Sequence, residues 1–480
     1  MNIDASVKKQ EVRGALDSAA EGTAVGAPDG GYAWFILLSG FTVFGLTFGV
    51  IKSFGVFYVE IHHYFDTSAT TASWITSIAV ATVHVAAPLA SALSARFGHR
   101  SIVMIGGLVC SAGVISGSFA RNLLELYLTV GFLNGLGYAL VWTPTVTMVG
   151  LYFDRKRPVA NALSSAGECI LTFIFTPLSQ WLIDSYSWRG AMLILGGLQL
   201  NLCVCGAMLR PLKSRQDYSY PKDVKANEEG EKMLQSQSQS LHKVEKKTLK
   251  SKIVPYVDFT LIANAEFMVY SMFGVFAALG LFAPPLFLVP YARSRGVEDY
   301  QSAALMSISS ALDLVGRVAF GWVANMRIIK MVHQLIATVI LLGVVLLVCP
   351  LASSFAELAV FSAAFGLVFG AMVAVHITVL AEVVGVHRLG SALGFFMLIR
   401  SGGGLLGPPI AGFFIDYMGD YGAGFLMAGT SLLISVLFLI LLEVLTRKGQ
   451  GSGGNALCKV KAKTDKQSHK VEEEEEAEIA

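Results

Sequence analysis

Long apolar stretches alternate with short polar breaks along most of this chain. The apolar runs cover roughly residues 33–61, 72–95, 101–119, 123–151, 158–183 and 190–209. A polar segment at 210–258 interrupts them, and six more runs come after it at 259–291, 302–324, 328–350, 355–385, 389–416 and 423–445. Each run is about twenty residues or longer, the length a helix needs to cross a hydrocarbon core of about 30 Å. Backbone polar groups find no water there, so each run must satisfy them within itself as a helix. The pattern predicts an all-α membrane protein of twelve transmembrane helices.

The polar breaks organise these helices into two halves. Residues 1–28 form an N-terminal tail without the compact apolar stretch of a signal peptide, so the first span is expected to be retained. Residues 29–209 make a six-helix bundle, 210–258 a linker, 259–446 a second six-helix bundle and 447–480 a C-terminal tail. The linker mixes Gln, Ser, Lys and Glu, as in the Gln-Ser repeats of 235–240, and buries too little apolar area to fold alone. The tail ends in the acidic run Glu472 to Glu476, a solvated and self-repelling feature. Lys and Arg concentrate in the even-numbered connections: Arg96 and Arg100, then Arg155, Lys156 and Arg157, the linker lysines, Arg327 and Lys330, and Arg388. Arg293 and Arg295 are the main exceptions. The positive-inside rule makes the even side cytoplasmic and puts both termini inside.

An internal repeat relates the halves. Pro177 to Asp184, ending the fifth run, reappears as Pro409 to Asp416 ending the eleventh, and Gly190-Ala191 matches Gly422-Ala423 at the same offset. Parallel six-helix repeats are the plan of major facilitator transporters, whose substrate site lies near the bilayer midplane. Glycines four apart (Gly45 and Gly49, Gly113 and Gly117, Gly131 and Gly135, Gly366 and Gly370) offer flat faces on which helices pack closely.

Composition narrows the function. The 480 residues are 54% apolar and 15% charged, against about a quarter charged in soluble domains. A net charge of +2 gives no reason to expect a nucleic-acid partner. The six cysteines, at 110, 169, 203, 205, 349 and 458, show neither metal-ligand spacing nor a disulfide framework, so no metal is expected. No phosphate-binding loop, His-Glu-x-x-His or Gly-x-Ser-x-Gly is present, which argues against an ATP-driven pump and against an enzyme. No cofactor is implied; energy would come from a solute gradient or a coupled ion.

Charges inside apolar runs carry the chemistry, because each costs about 2.5–3.5 kcal/mol or more at the bilayer centre. Asp313 and Arg317 lie four apart on one face of the eighth run, able to pair. Arg317 can grip a carboxylate with two prongs, and a proton on Asp313 would release it. Lys52 lies about 27 Å along the first helix from Trp34, either as a snorkelling interfacial lysine or as a cation that meets an anion at the mouth. His84, Glu168, Glu266, His376, Glu382 and Arg400 are weaker cavity candidates; Arg400 precedes Ser401 and three glycines, where backbone could approach a substrate.

Two segments resemble the signatures of the monocarboxylate transporter family (solute carrier family 16) of the major facilitator superfamily. One is Pro28-Asp29-Gly30-Gly31-Tyr32-Ala33-Trp34 at the first span. The other runs from Tyr152-Phe153-Asp154-Arg155-Lys156-Arg157 through Ala162 to Ala166-Gly167, with Ala162 where the family generally has glycine. The resemblance implies that Lys52, Asp313 and Arg317 stand where proton-coupled members have their proton-accepting lysine, proton-relaying aspartate and carboxylate-binding arginine. It implies a plasma-membrane symporter of one proton with a small organic anion such as lactate, pyruvate or a ketone body. Other members carry thyroid hormones, aromatic amino acids, creatine or carnitine, several without protons, and Glu168 and Arg400 are not expected in a plain lactate carrier. A proton-independent facilitator is therefore the alternative, and a non-transporting sensor on the same scaffold a more distant one. The resemblance also implies a single-pass immunoglobulin-like ancillary glycoprotein as partner, besides the lipid bilayer. The chain itself has no Asn-x-Ser/Thr sequon.

Overall fold

The computed structural model describes residues 30–153, 156–210, 259–326, 329–385 and 388–447. The expectations for the two tails, for nearly all of the linker and for Asp29 and Arg155 lie outside these residues, as does the side chain of Arg157. Among the described residues all regular structure is helical, with no strand.

Among the described residues, eleven helical stretches are long and apolar enough to cross a membrane. They are α1 (Ala33–Phe65), α2 (Ala69–Phe97), α3 (His99–Ser118), α4 (Leu123–Tyr152), a 50-residue stretch Val159–Met208, α7 (Ala265–Ser294), α8 (Asp299–Ala324), α9 (Met331–Leu351), α10 (Phe355–Val384), α11 (Ala392–Met418) and α12 (Gly422–Arg447). The 50-residue stretch would be roughly 75 Å long if straight, over twice the hydrocarbon core. It breaks at Ser187, whose φ of 63° and ψ of 169° leave the helical region, and so divides into α5 before Ser187 and α6 after it. Among the described residues this gives twelve helices of crossing length, with the break inside the polar interval expected between the fifth and sixth runs.

Local chemistry explains several helix ends. Ser354 and Glu357 close a reciprocal capping box at the start of α10, and the Asn264 carboxamide accepts from the amides of Glu266 and Phe267 to start α7. Gly98, at φ +88°, makes the turn between α2 and α3 that a residue with a Cβ resists. Large apolar side chains on outer faces, such as Val318 and Trp322 of α8 at 64% and 65% exposure, suit a lipid surround.

Inter-residue contacts group the described residues into two units, one holding those up to 53 and those from 85 to 210, the other those from 54 to 84 and from 259 onward. The first half of α1 and the second half of α2 thus belong to the first unit, and their other halves to the second. In the first unit α1 packs on α5 through Gly167, where a Cβ would collide with the Phe41 carbonyl. In the second unit α8 and α10 close on each other through Gly316, Gly366 and Gly370. A Cβ on Gly366 would strike the Ser309 carbonyl, and one on Gly370 the Asp313 carbonyl. The expected glycine face of α10 is therefore a backbone-to-backbone seam. Also within the second unit, the Asp416 carboxylate at the end of α11 accepts from the amides of Ala69 and Thr70 at 2.8 and 2.9 Å, capping α2. Arg293 of α7 pairs with Glu60 of α1 at 3.1 Å.

Candidate functional site

The α8 pair is formed as the four-residue spacing suggests. Arg317 Nε lies 2.7 Å from Asp313 Oδ1 and Nη2 lies 3.0 Å from Oδ2, a two-pronged pair. The side chains are 8% and 2% exposed, on the face of α8 away from Val318 and Trp322, so the pair does not face lipid. Gly370 sets its backbone against this same turn, where a Cβ would also come 2.9 Å from the Arg317 nitrogen. The bidentate geometry satisfies both ions at little rotamer cost, which is what makes two charges tolerable at this depth.

Lys52 has a partner that its own helix does not provide. Its Nζ lies 2.7 Å from Glu168 Oε1 of α5, with side chains 16% and 12% exposed. This excludes the simple reading of Lys52 as a lysine reaching for the membrane surface. A π-helical turn at Gly45–Gly49 of α1 helps to aim it. One extra residue in the turn rotates all later residues of the helix by about 100° relative to an unbroken α-helix. Gly45 lies against Leu171 and Gly49 against Glu168 and Thr172, so the α1 face that carries Lys52 meets α5 without a side chain between. Thr172 Oγ1 donates to the Glu168 carbonyl at 2.7 Å.

A third group gathers around Arg400 of α11, in the second unit. The guanidinium lies over the Phe282 ring, 5.5 Å from its centroid. His84 meets the same ring edge-on at 6.2 Å, and Tyr270 stacks obliquely on Phe396 at 5.3 Å. The Tyr270 hydroxyl donates to the His376 carbonyl. Arg400 interacts electrostatically with His84, His376 and Tyr270.

The remaining candidates lie at helix ends. Glu266 occupies the first turn of α7, where a carboxylate is favoured by the helix dipole. Glu382 is exposed in the last turn of α10. The signature residues form a packing joint in the first unit. Gly30 and Gly31 turn the chain into α1, with Gly31 at φ +56°. Trp34 meets Phe153 edge-on at 5.9 Å while Lys156 lies over the Trp34 ring, and the Tyr152 hydroxyl donates to the Arg210 carbonyl at 2.8 Å. The two signatures thus touch each other. Sequence reasoning missed the Glu168 partnership, although a carboxylate in an apolar run had to find a cation on some other helix. It also missed Phe282, Tyr270 and Phe396, which look like any core aromatics.

The comparisons with known proteins agree with this architecture. A family model described as Major Facilitator Superfamily matches residues 36–333 and 332–468. A solved structure titled as a POT family transporter in complex with 5-aminolevulinic acid superimposes with a TM-score of 0.64 at 13% identity, covering 87% of this chain and 96% of that one. Among curated relatives, monocarboxylate transporter 2 of Mesocricetus auratus is 36% identical over 86% of this chain and 84% of its own. Monocarboxylate transporter 12 of Rattus norvegicus is 39% identical over 86% and 85%, and monocarboxylate transporter 7 of Homo sapiens 34% over 87% of each. The helices and the superfamily match define a multi-pass membrane transporter of the major facilitator fold, not an enzyme. Within that superfamily the chain belongs to the monocarboxylate transporter family, solute carrier family 16.

Proposed function

We propose that this transporter moves a small monocarboxylate of the lactate, pyruvate or ketone-body type together with a proton, by alternating access. The observation that carries the reading is the bidentate Asp313–Arg317 pair in an apolar helix. An apolar substitute would be less costly at that depth, so the pair has to be maintained by something other than stability. A proton arriving on Asp313 leaves a neutral acid and frees the Arg317 fork. The substrate carboxylate then takes the vacated place, and the local charge returns to zero. With only one of the two bound the buried site carries a net charge; empty or with both bound it is neutral and can lose its remaining water. Proton and anion therefore cross together, with no net charge moved.

Lys52 and Glu168 repeat the arrangement in the first unit, an acid holding a cation that one proton would release. Lys52 then serves both anion entry and proton transfer. The reading carries with it a plasma-membrane location, cytoplasmic termini and a single-pass immunoglobulin-like glycoprotein as partner. The relatives' names, which are those of monocarboxylate transporters, support the substrate class.

The test is uptake of labelled lactate into proteoliposomes with and without an inward proton gradient. Arg317→Ala should abolish uptake at unchanged incorporation, and Asp313→Asn should abolish accumulation driven by pH. Wild-type-like uptake in the first variant, or continued concentration of substrate in the second, refutes the roles assigned.

A further inference from the structure

Arg400 differs from Arg317 and Lys52 in one respect. Those two cations are already held by Asp313 and Glu168, whereas no described residue forms an ion pair or hydrogen bond with Arg400. The residue keeps accessible surface, and no guanidinium nitrogen is among the sealed polar atoms without a partner. It lies over the face of Phe282, which offsets only a fraction of the cost of a buried cation. Gly404, one turn further along the same face of α11, lets Val80 and Phe282 pack closely beside it: a Cβ there would lie 3.0 Å from Val80 and 3.4 Å from Phe282. An unpaired fork that keeps accessible surface is suited to an anion.

The two histidines add a second chemistry. His84 Nδ1 lies 2.7 Å from the Val80 carbonyl and His376 Nδ1 lies 2.9 Å from the Val373 carbonyl. A carbonyl can only accept, so in the neutral rings each Nδ1 carries the hydrogen and each Nε2 keeps a lone pair. No described residue donates to either Nε2. Arg400 thus offers donors, and the neighbouring imidazoles offer acceptors.

From this juxtaposition we infer that Arg400 with His84 and His376 forms a second substrate-anion site, selecting carboxylic acids that also carry an O–H or N–H donor. The carboxylate docks on the guanidinium and the donor hydrogen-bonds to an imidazole Nε2, while Phe282 and Tyr270 flank the apolar body. A carboxylate without a donor would leave the Nε2 lone pairs desolvated and unmatched, which is a strong basis for rejection. The inference rests on the transport reading above and narrows its substrate class.

The experiment compares pairs of acids that differ by one hydroxyl, lactate with propionate and phenyllactate with phenylpropionate. Each competes at millimolar concentration for labelled lactate uptake by purified protein in proteoliposomes, and each is scored for thermal stabilisation of the same protein. Wild type should favour the hydroxylated member of each pair by about tenfold, the scale of one matched hydrogen bond. Arg400→Gln should weaken both members by more than about tenfold. His84→Phe and His376→Phe should instead narrow the preference within each pair and retain binding. Equal affinity within both pairs in wild type overturns the inference without any variant, as does the absence of binding by all four acids. Unchanged affinities in a folded Arg400→Gln protein overturn it too. If Arg317→Ala still abolishes uptake in that case, the transport reading survives alone; if neither arginine matters, both fall.

Discussion

The Lys52–Glu168 pair gives a prediction that separates a structural from a functional role. Glu168→Gln preserves shape and removes the charge that lies 2.7 Å from Lys52 Nζ. Removing one member of a buried pair costs about 3–5 kcal/mol, because the other charge stays desolvated. These side chains keep 16% and 12% of their surface, so part of that cost is screened, and about 2–3 kcal/mol is expected. Lys52→Met should destabilise by a similar amount. The double variant Lys52→Met with Glu168→Met removes both charges, and such replacements are commonly neutral or stabilising by about 1–4 kcal/mol. In a double-mutant cycle built from Lys52→Met, Glu168→Met and their combination the coupling should therefore reach about 4 kcal/mol or more. A unit of 150–250 residues loses about 2–4 °C of melting temperature per kcal/mol, so each single variant should melt about 4–12 °C lower and the double variant near wild type. The assay is thermal unfolding of the detergent-purified protein, with proteoliposome uptake measured in parallel. The double variant should regain stability without regaining transport. Single variants as stable as wild type would refute the pairing, and a double variant that transports normally would refute the functional role.

Two further substitutions test the packing on which the site depends. Gly370→Ala drives a Cβ into the Asp313 carbonyl and should cost about 1–3 kcal/mol as well as lowering uptake, read by melting temperature and transport. Gly394→Ala, where a Cβ would meet nothing within 4 Å, is the control, and equal effects at both positions would refute the seam. Asp416→Ala removes the acceptor for two amides at the start of α2 and should destabilise by about 1–2 kcal/mol, with Asp416→Asn recovering much of the loss; an unchanged melting temperature in the alanine variant would refute the cap.

The crossings were legible because each depends on a run of residues adjacent in sequence. Even the break at Ser187 falls where polar residues thin the apolar pattern. The glycine face of α10 was legible for the same reason, since Gly366 and Gly370 share a turn of one helix. The membership of residues 54–84 in the second contact unit was not. That grouping depends on which helices meet, and spans that are apolar on every face carry little periodicity to report it. The π-helical turn at Gly45–Gly49 was hidden too, because one residue more in a turn leaves hydropathy unchanged while rotating the rest of the helix.

The same distinction separates the charged pairs, and it bears on mechanism. Asp313 and Arg317 could be matched on one helix, whereas Glu168 could be matched to Lys52 only across two. Both pairs nevertheless sit at a junction where glycine brings another helix against the charged turn. Gly370 abuts the backbone of Asp313 and Arg317, and Gly49 abuts the backbone of Glu168. Tightly packed elements shift between discrete arrangements rather than deforming smoothly. A charge that is neutralised at such a seam has no flexible side chain to absorb the change, so the helices themselves must respond. On the proposed mechanism this is how a proton on Asp313 or Glu168 would become a movement of α8 on α10, or of α1 on α5. A lattice of branched side chains at these seams would hold the same charges equally well and transmit far less.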